Sequence, residues 1–185
     1  EISFGPRNFG AAEAKLPQIA AEALKAVGLQ PDKFLLRSPF SLSGGEKRRV
    51  AIASVLAVGA EVLIFDEPTA GLDERGRRWI LDLARRENES GKTIIWISHN
   101  MDEVAEVAGR LLVLDRGHLV ADGSTDEVFA QEDKLAALGL DIPQPARLVR
   151  RLKDGGFPIP AQALVEDEAY QEISKALGGK NHDKR

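Results

Sequence analysis

Residues 42–73 read LSGGEKRRVAIASVLAVGAEVLIFDEPTAGLD, and these residues carry the strongest indication of the fold. It contains a Ser-Gly-Gly-Glu turn before a helical pattern, an apolar run that ends in two carboxylates, and a Gly-Leu-Asp turn. The apolar run, Val62–Phe65, is short and rich in β-forming residues, which is typical of a parallel strand buried on both faces. The stretch therefore predicts an α/β fold whose ligands bind beyond the carboxyl end of this strand.

The turn before the helical pattern is suited to an anion. Ser43 is a good N-cap, and Gly44 and Gly45 allow another group to approach the backbone closely. Free amides at a helix start and the helix dipole both favour phosphate. An ordinary capped helix fits the same residues, so Ser-Gly-Gly alone leaves both interpretations open.

Charged and polar side chains follow the apolar run. Asp66 and Glu67 alternate sides if the strand continues, so one can hold Mg²⁺ while the other polarises an attacking water. A solvated turn before Pro68 is the simpler alternative. His99 follows a second apolar run, Thr93–Ser98, at the same predicted edge, where it can contact a γ-phosphate or hold the water. A histidine at a strand end is also a common surface residue, so His99 alone decides nothing.

Together these segments resemble the ATPase subunits of ABC transporters. Leu42–Glu46 matches the family signature, with Glu46 where Gln is more usual, and Val62–Glu67 resembles the Walker B strand with its catalytic glutamate. Ala70–Asp73 is similar to the D-loop, and His99 to the switch histidine. One branch of the family, the energy-coupling-factor importers of vitamins and cobalt, has sequences similar to four segments of this chain: FGPRN, SPFSLSGGEKRRVAIASVLA, DEPTAGLD and ISHNMDEV. The resemblance extends from the first residue to about residue 165.

The resemblance implies how the chain binds nucleotide. In this family two ATPase subunits enclose two ATP molecules, and the signature of one subunit faces the nucleotide of the other. Ser43, Gly44, Gly45 and Glu46 are thereby implied as ATP-binding residues. Asp73 is implied as the link between the two sites. Whether the second subunit is the same chain or a related one stays open.

The resemblance also implies the roles of three residues in hydrolysis. Glu67 is the expected general base, and Asp66 is the expected ligand of Mg²⁺. His99 is the expected sensor of the γ-phosphate. Hydrolysis would open the pair of subunits and move a membrane subunit, so the implied activity is an ATPase that powers import.

The implied partners are a second ATPase subunit, a transmembrane coupling subunit and a substrate-binding membrane subunit. The chain is therefore expected at the cytoplasmic face of the membrane as a peripheral protein. The substrate, a vitamin or a metal ion, is chosen by the separate membrane subunit, so this sequence does not identify it.

The resemblance divides the chain into three parts. Residues 1–57 are expected to form a helical subdomain with the signature, which usually faces the membrane partner. Residues 58–140 are expected to form the α/β core with Walker B, D-loop and switch histidine. Residues 141–185 are expected to be a C-terminal helical extension and tail. This extension either helps two subunits associate or packs on its own domain.

Local patterns predict the smaller elements. Phe4–Asn8 is typical of a break or turn, and two short helices are expected after the prolines of the C-terminal part. Further patterns predict a helix over 19–27, with Pro17 in its first turn and Gly28 after its end, and a helix over 73–90. Capping boxes are predicted at Asn100–Glu103 and at Ser124–Glu127, and a helix is expected from Ser124 to about Leu138. A hairpin turn is predicted over 115–117 and disorder over Gly178–Arg185.

Composition excludes several classes of protein. A net charge of −4 and a pI of about 5.5 do not favour a nucleic-acid partner. The chain has no cysteine, which excludes a disulfide framework and a cysteine metal site and fits a cytosolic protein. No run of eighteen apolar residues is present, and the first residues lack the pattern of a signal peptide.

One family motif is missing from the 185 residues. No GxxxxGK[ST] sequence is present, and the Walker A lysine, the first strand and the glutamine loop are expected before Glu1. We therefore predict that this chain alone binds ATP weakly or not at all. Two other classes remain open: a non-catalytic dimerisation or interaction module, and a non-transport ABC ATPase of the DNA-repair kind. The absence of long heptad repeats and the acidic pI argue against the latter.

Overall fold

The structure is a computed structural model, and it describes residues 1–159 and 163–177. Within these residues the chain forms ten α-helices and four strands. In chain order they are α1 Phe4–Asn8, α2 Leu16–Ala26, α3 Pro31–Phe34, α4 Gly44–Leu56, β1 Val62–Asp66, α5 Glu74–Glu89, β2 Thr93–Ile97, α6 Met101–Val107, β3 Arg110–Asp115, β4 His118–Ser124, α7 Thr125–Phe129, α8 Glu132–Ala137, α9 Gln144–Asp154 and α10 Glu166–Ala176.

The described chain divides into two compact units. The first contains Glu1–Leu63 and Asp82–Ile94, and the second contains Ile64–Leu81 and the described part of Ile95–Arg185. The three-part division expected from the resemblance stays a prediction.

The first unit is built around α2 and α4. Pro17 lies in the first turn of α2, where its missing N–H needs no partner, and Gly28 follows the helix with a φ of 73°. Both features were predicted from the sequence and are confirmed. Leu24 and Val27 are completely buried. Arg49 of α4 donates a hydrogen bond to the carbonyl oxygen of Val27 at 3.0 Å, which ties α4 to the end of α2.

The prediction of a turn over Phe4–Asn8 is wrong, because these residues form α1. Pro6 lies within the first turn of this five-residue helix and is buried. The first four amides of any helix lack an intrahelical partner, so a proline there removes no hydrogen bond.

Strands β1 and β2 pair in parallel and are connected by α5. The N–H of Thr93 donates to the oxygen of Glu61 at 2.8 Å, and the N–H of Glu67 donates to the oxygen of Ile97 at 2.9 Å. Both bonds advance in the same chain direction, as in a parallel ladder. The two predicted strands and the β-α-β connection are therefore confirmed.

The burial of β1 differs from the prediction. Leu63 is buried, but the side chains of Val62 and Ile64 are 49% and 65% exposed. The expectation that β1 is buried on both faces is thus wrong for the described chain. Along β1 exposed residues alternate with more buried ones, because alternate side chains of a strand point to opposite faces.

Helix α5 follows the predicted pattern closely. It covers Glu74–Glu89, against a predicted helix over 73–90. Ile80, Leu83 and Ala84 are all buried, and their spacing places them on one face of the helix.

Strands β3 and β4 form the predicted antiparallel hairpin. Asp115 pairs with His118 across a two-residue turn, in which Arg116 and Gly117 both have positive φ, at 48° and 82°. Positive φ at both positions is the geometry of a type I′ turn, whose twist matches that of the strands. The guanidinium of Arg110 and the carboxylate of Asp122 form a two-point ion pair at 2.8 Å across the hairpin.

The chain after the hairpin forms two helices where one was predicted. Ser124 and Glu127 form the predicted capping box at the start of α7. The predicted continuous helix to about Leu138 is wrong, because α7 ends at Phe129 and α8 begins at Glu132. A core cluster of buried residues fills this part of the second unit: Val104, Val113, Val128, Phe129, Leu135, Ile142 and Leu164.

Helices α9 and α10 form a C-terminal helical pair with a small core of its own. That core contains Val149, Ile159, Ala163 and Ala169. The two predicted C-terminal helices are confirmed, whereas the predicted disorder over Gly178–Arg185 lies outside the described residues. Among the described helices, none combines the length and the apolar content needed to cross a bilayer.

Candidate functional site

The start of α4 is a reciprocal capping box. The Oγ of Ser43 accepts a hydrogen bond from the N–H of Glu46 at 3.3 Å, and Glu46 Oε2 accepts one from the N–H of Ser43 at 2.8 Å. Glu46 Oε1 also accepts from Arg37 at 3.2 Å. The hydrogen bonds from Ser43, together with the charge of Arg37, lower the pKa of Glu46. Both carboxylate oxygens thus have local partners, and a role of Glu46 in binding nucleotide stays a prediction.

Gly44 and Gly45 form the exposed first turn of α4. A Cβ atom placed on either residue would meet no other atom within 4 Å, and neither residue has a positive φ. Neither packing nor backbone conformation within the described chain therefore requires glycine here. The N–H groups of both residues have no hydrogen-bond partner among the described residues. The turn is open to an anion that approaches the backbone closely.

Glu67 leaves the line of β1. The strand ends at Asp66, and Glu67 has a φ of 44°, in the left-handed region that non-glycine residues rarely occupy. Such a conformation costs about 1–3 kcal/mol and is concentrated at functional sites. The strand does not continue past Asp66, so the alternation that was expected for a continuing strand does not apply. A turn, rather than the pleat of the strand, separates their side chains.

The structure brings Glu67 and His99 together. His99 Nδ1 lies 2.7 Å from Glu67 Oε1, and the backbone N–H of His99 donates to the same oxygen at 3.2 Å. The hydrogen bond and the charge of Glu67, with a smaller contribution from the charge of Glu103, raise the pKa of His99. The His99 side chain is 83% exposed. Glu67 Oε2 has no hydrogen bond to the described residues, so it stays available to a water molecule.

Asp66 provides an exposed carboxylate at the end of β1. The described residues contain no group of three or more His, Cys, Asp or Glu side chains that could hold a metal by themselves. Mg²⁺ commonly binds one or two carboxylates and completes its shell with phosphate oxygens and waters. A single exposed carboxylate beside Glu67 fits that requirement.

Asp73 caps helix α5. Its Oδ1 accepts a hydrogen bond from the N–H of Gly76 at 2.8 Å, and Gly71 in the preceding turn has a φ of 72°. Asp73 therefore has a local structural role, because it satisfies a free N–H group at the start of α5. Its role as a link between two nucleotide sites stays a prediction.

Sequence reasoning missed the buried contact between Glu103 and Thr69. Asn100 caps α6 as predicted, since its Oδ1 accepts from the N–H groups of Asp102 and Glu103. Glu103, however, does not return the bond to the backbone of Asn100. Its carboxylate accepts from Thr69 Oγ1 at 2.7 Å and from Asn100 Nδ2 at 3.1 Å, and the residue is only 2% exposed. No pattern in the sequence distinguishes this buried glutamate from an ordinary capping residue.

The predicted residues fall in both compact units. Ser43, Gly44, Gly45 and Glu46 belong to the first unit, and Asp66, Glu67, Asp73 and His99 belong to the second.

Comparisons with known proteins show what the chain is similar to. A model of the ABC transporter family matches residues 6–70. The chain is 45% identical over 180 residues to the energy-coupling factor transporter ATP-binding protein EcfA2 of Symbiobacterium thermophilum, an alignment that covers 97% of the chain and 62% of that relative. It is 41% identical over 185 residues to the protein of the same name from Bacillus cereus, covering 99% and 63%. The chain thus spans less than two thirds of the length of these relatives.

Two solved structures share the fold. The structure of cbiO1 from Clostridium perfringens, described as part of the ABC transporter complex cbiONQ, matches with a TM-score of 0.60 and 36% identity over 74% of this chain and 54% of that one. A metal-chelate type ABC transporter in an inward-facing conformation matches with a TM-score of 0.63 and 24% identity, covering 74% and 55%, which speaks for the fold alone. The predicted α/β fold, the C-terminal part of an ABC-type nucleotide-binding domain, is confirmed.

Proposed function

We propose that the chain belongs to the ABC transporter ATP-binding family, in its energy-coupling factor branch, and that it supplies three parts of an ATP-hydrolysing site that powers import. These parts are the signature turn, the Mg²⁺-binding carboxylate and the general base. The contact between Glu67 and His99 is the observation on which the proposal rests.

Glu67 is the proposed general base. Its Oε1 is fixed by two hydrogen bonds from His99, and its Oε2 is left to accept a proton from the attacking water. The left-handed backbone of Glu67 turns the residue away from the strand line. A general base of this kind contributes roughly 10²–10⁴-fold to a rate when it is held in position.

His99 is proposed to have two positions. In this structure its ring lies on Glu67, which orients the base and keeps the histidine charged over a wider pH range. A γ-phosphate within reach offers the same ring a second anionic partner, so the histidine senses the nucleotide by exchanging one partner for the other.

Asp66 and the glycines of α4 are proposed to hold the nucleotide. Asp66 holds Mg²⁺ through its exposed carboxylate, and bound Mg²⁺ supplies neutralisation of the charge on the β- and γ-phosphates. Gly44 and Gly45 offer free N–H groups to phosphate oxygens of ATP carried by a second subunit. The cofactors are therefore ATP and Mg²⁺.

The proposed setting is a membrane transporter. The relatives bear the name of energy-coupling factor transporter ATP-binding proteins, and one structural relative is described as part of a transporter complex. By analogy, the chain works with a second ATPase subunit, a transmembrane coupling subunit and a substrate-binding membrane subunit that selects a vitamin or a metal ion. It lies as a peripheral protein on the cytoplasmic face of the membrane.

Turnover of ATP by the full-length protein tests this proposal. Glu67→Gln keeps the size of the side chain but removes the base, so turnover falls by roughly 10²–10⁴-fold while ATP binding remains. The matched control is Glu61→Gln, because Glu61 is an exposed glutamate just before β1, at the other end of the strand. Unchanged turnover in Glu67→Gln would overturn the role of general base. Rapid turnover by the 185-residue chain alone would overturn the expectation that the chain needs a separate phosphate loop.

A further inference from the structure

Helix α9 begins without a cap from its own segment. The residue before it is Pro143, which is fully buried and has no side-chain acceptor to offer. Asp102 supplies the acceptor from α6, since its Oδ1 accepts a hydrogen bond from the N–H of Gln144 at 2.7 Å. A carboxylate at the start of this eleven-residue helix satisfies a free amide and interacts favourably with the helix dipole.

Asp102 belongs to the same short segment as His99. Residues 99–102, called the switch segment below, run from His99 through the cap residue Asn100 to Asp102 in the first turn of α6. One end of the switch segment is bound to Glu67 by two hydrogen bonds, and the other end is bound to Gln144 of α9. The switch segment therefore connects Glu67 to the start of α9.

Helix α6 uses its acidic side chains to contact three different elements. Asp102 contacts α9, and Glu103 contacts Thr69 in the turn after β1. Glu106 Oε1 accepts from Arg77 of α5 at 3.0 Å. Side-chain contacts thus hold this seven-residue helix in its first turn and near its end.

A cleft of about 390 Å³ lies between the switch segment and the start of α9. It is lined by His99 and Asp102 on one side and by Asp141, Gln144 and Arg147 on the other. Arg147 and Asp141 form an ion pair with each other. The cleft leaves room between the switch segment and α9, and the Asp102–Gln144 hydrogen bond joins its two sides.

We propose that Asp102 is a positioning residue that couples His99 to the C-terminal helical pair. The proposal rests on the proposed function, because it takes the γ-phosphate of ATP as the partner that draws His99 away from Glu67. When His99 moves, the switch segment shifts, the N–H of Gln144 loses its acceptor and the first turn of α9 loosens. Coupling between two sites is reciprocal. Loss of the cap therefore favours the nucleotide-bound position of His99.

Amide hydrogen exchange of the full-length protein tests the coupling. A non-hydrolysable ATP analogue with Mg²⁺ is expected to speed exchange at Gln144 and Ala146 of the wild type by about tenfold, the effect of losing one helix cap. Asp102→Ala makes the exchange fast with or without the analogue. Asp102→Asn retains an oxygen acceptor and behaves like the wild type. The control is Asp126→Ala, since Asp126 is an exposed aspartate in the first turn of α7.

Steady-state kinetics give a second readout that a purely structural role would leave unchanged. Asp102→Ala is expected to lower KM for ATP by about fivefold, in the usual range of coupling between sites, whereas Asp102→Asn and Asp126→Ala leave KM unchanged. An analogue that binds without changing exchange at Gln144 would overturn the coupling, and so would an unchanged KM in Asp102→Ala. If Asp102→Ala does not fold, the wild-type comparison with and without the analogue decides alone. Absence of nucleotide binding, measured separately, would overturn the proposed function and the coupling with it.

Discussion

Glu67 Oε1 accepts two hydrogen bonds from His99, one from its backbone N–H at 3.2 Å and one shared with Nδ1 of its ring at 2.7 Å. The two residues are 32 positions apart, and each follows one of the two paired parallel strands. This contact joins the proposed base to the proposed sensor, and it raises the pKa of His99.

The first prediction concerns the pKa of His99. Glu67, mainly through its hydrogen bond, raises this pKa in the folded chain, so the folded state binds the proton more tightly than the unfolded state does. The resulting stabilisation is fully present below the unfolded value of about 6.5 and is lost as pH rises through the higher folded value. An NMR titration should show that Glu67→Gln lowers the pH at which His99 is half protonated.

Asp122→Asn is the control for this titration. It removes the negative charge that pairs with Arg110 in the β3–β4 hairpin and leaves the contact of Glu67 with His99 intact. An identical midpoint of His99 in wild type and Glu67→Gln would show that the pair does not form in solution.

The second prediction concerns the buried carboxylate of Glu103. Glu103→Ala removes the partner of Thr69 and Asn100 and leaves a cavity, so the free energy of unfolding should fall by about 2–4 kcal/mol. Thr69→Val removes only one side of the contact. Because the two residues are in direct contact, urea unfolding of the double variant should reveal a coupling of about 0.5–3 kcal/mol.

Glu89→Ala is the matched control for Glu103→Ala. Glu89 is an exposed glutamate at the end of α5, and its substitution should change the free energy of unfolding by less than about 0.5 kcal/mol. Additive effects of Glu103→Ala and Thr69→Val would mean that their hydrogen bond contributes nothing.

Some of these contacts could be predicted from the sequence, and others could not. The capping boxes at Ser43 and Ser124 and the turn before His118 depend on residues at most three or four positions apart, so local chemistry determines them. The shared edge of Glu67 and His99 was also predictable, because it follows from two consecutive parallel strands. Their direct hydrogen bonds were not, since the left-handed turn at Glu67 has no signature in the sequence.

The remaining differences have equally specific causes. The hydrogen bond from Gln144 to Asp102 joins residues that are 42 positions apart in the sequence. Its donor is a backbone amide, which every non-proline residue possesses, so no pattern of side chains predicts this bond. Helix α1 was missed because Pro6 reads as a breaker but lies where a helix tolerates proline. The exposed faces of Val62 and Ile64 were missed because a continuous apolar run carries no information about what covers it.

The third prediction separates the structural role of Ser43 from its proposed role in the site. Ser43 and Ser124 both form capping boxes, with the same 3.3 Å bond from the N–H of the glutamate three residues on. Ser43→Ala and Ser124→Ala should therefore each lower the free energy of unfolding by about 1 kcal/mol. Only Ser43→Ala should also lower ATP turnover of the full-length protein. Equal effects of the two variants on turnover would reduce Ser43 to a helix cap.

The fourth prediction is that Gly45→Ala changes stability and ATP turnover in opposite directions. Gly45 lies in the first turn of α4 without a positive φ, and a Cβ there meets no atom within 4 Å. Gly45→Ala should therefore raise the free energy of unfolding by about 0.4–1 kcal/mol, because alanine restricts the unfolded chain. If phosphate approaches this turn, however, the added methyl group lies in its path. Turnover of the full-length protein should then fall while the folded chain becomes more stable.

Gly59→Ala is the control, because it should lower stability without lowering turnover. Gly59 follows α4 with a φ of 73°, a conformation that costs an alanine roughly 1–2 kcal/mol, although the space around it is also open. Gly59→Ala should lower the free energy of unfolding and leave turnover per folded molecule unchanged. Chemical denaturation and ATP turnover measured on the same preparations distinguish the two cases. A Gly45→Ala protein that is more stable and fully active would mean that no ligand approaches the start of α4.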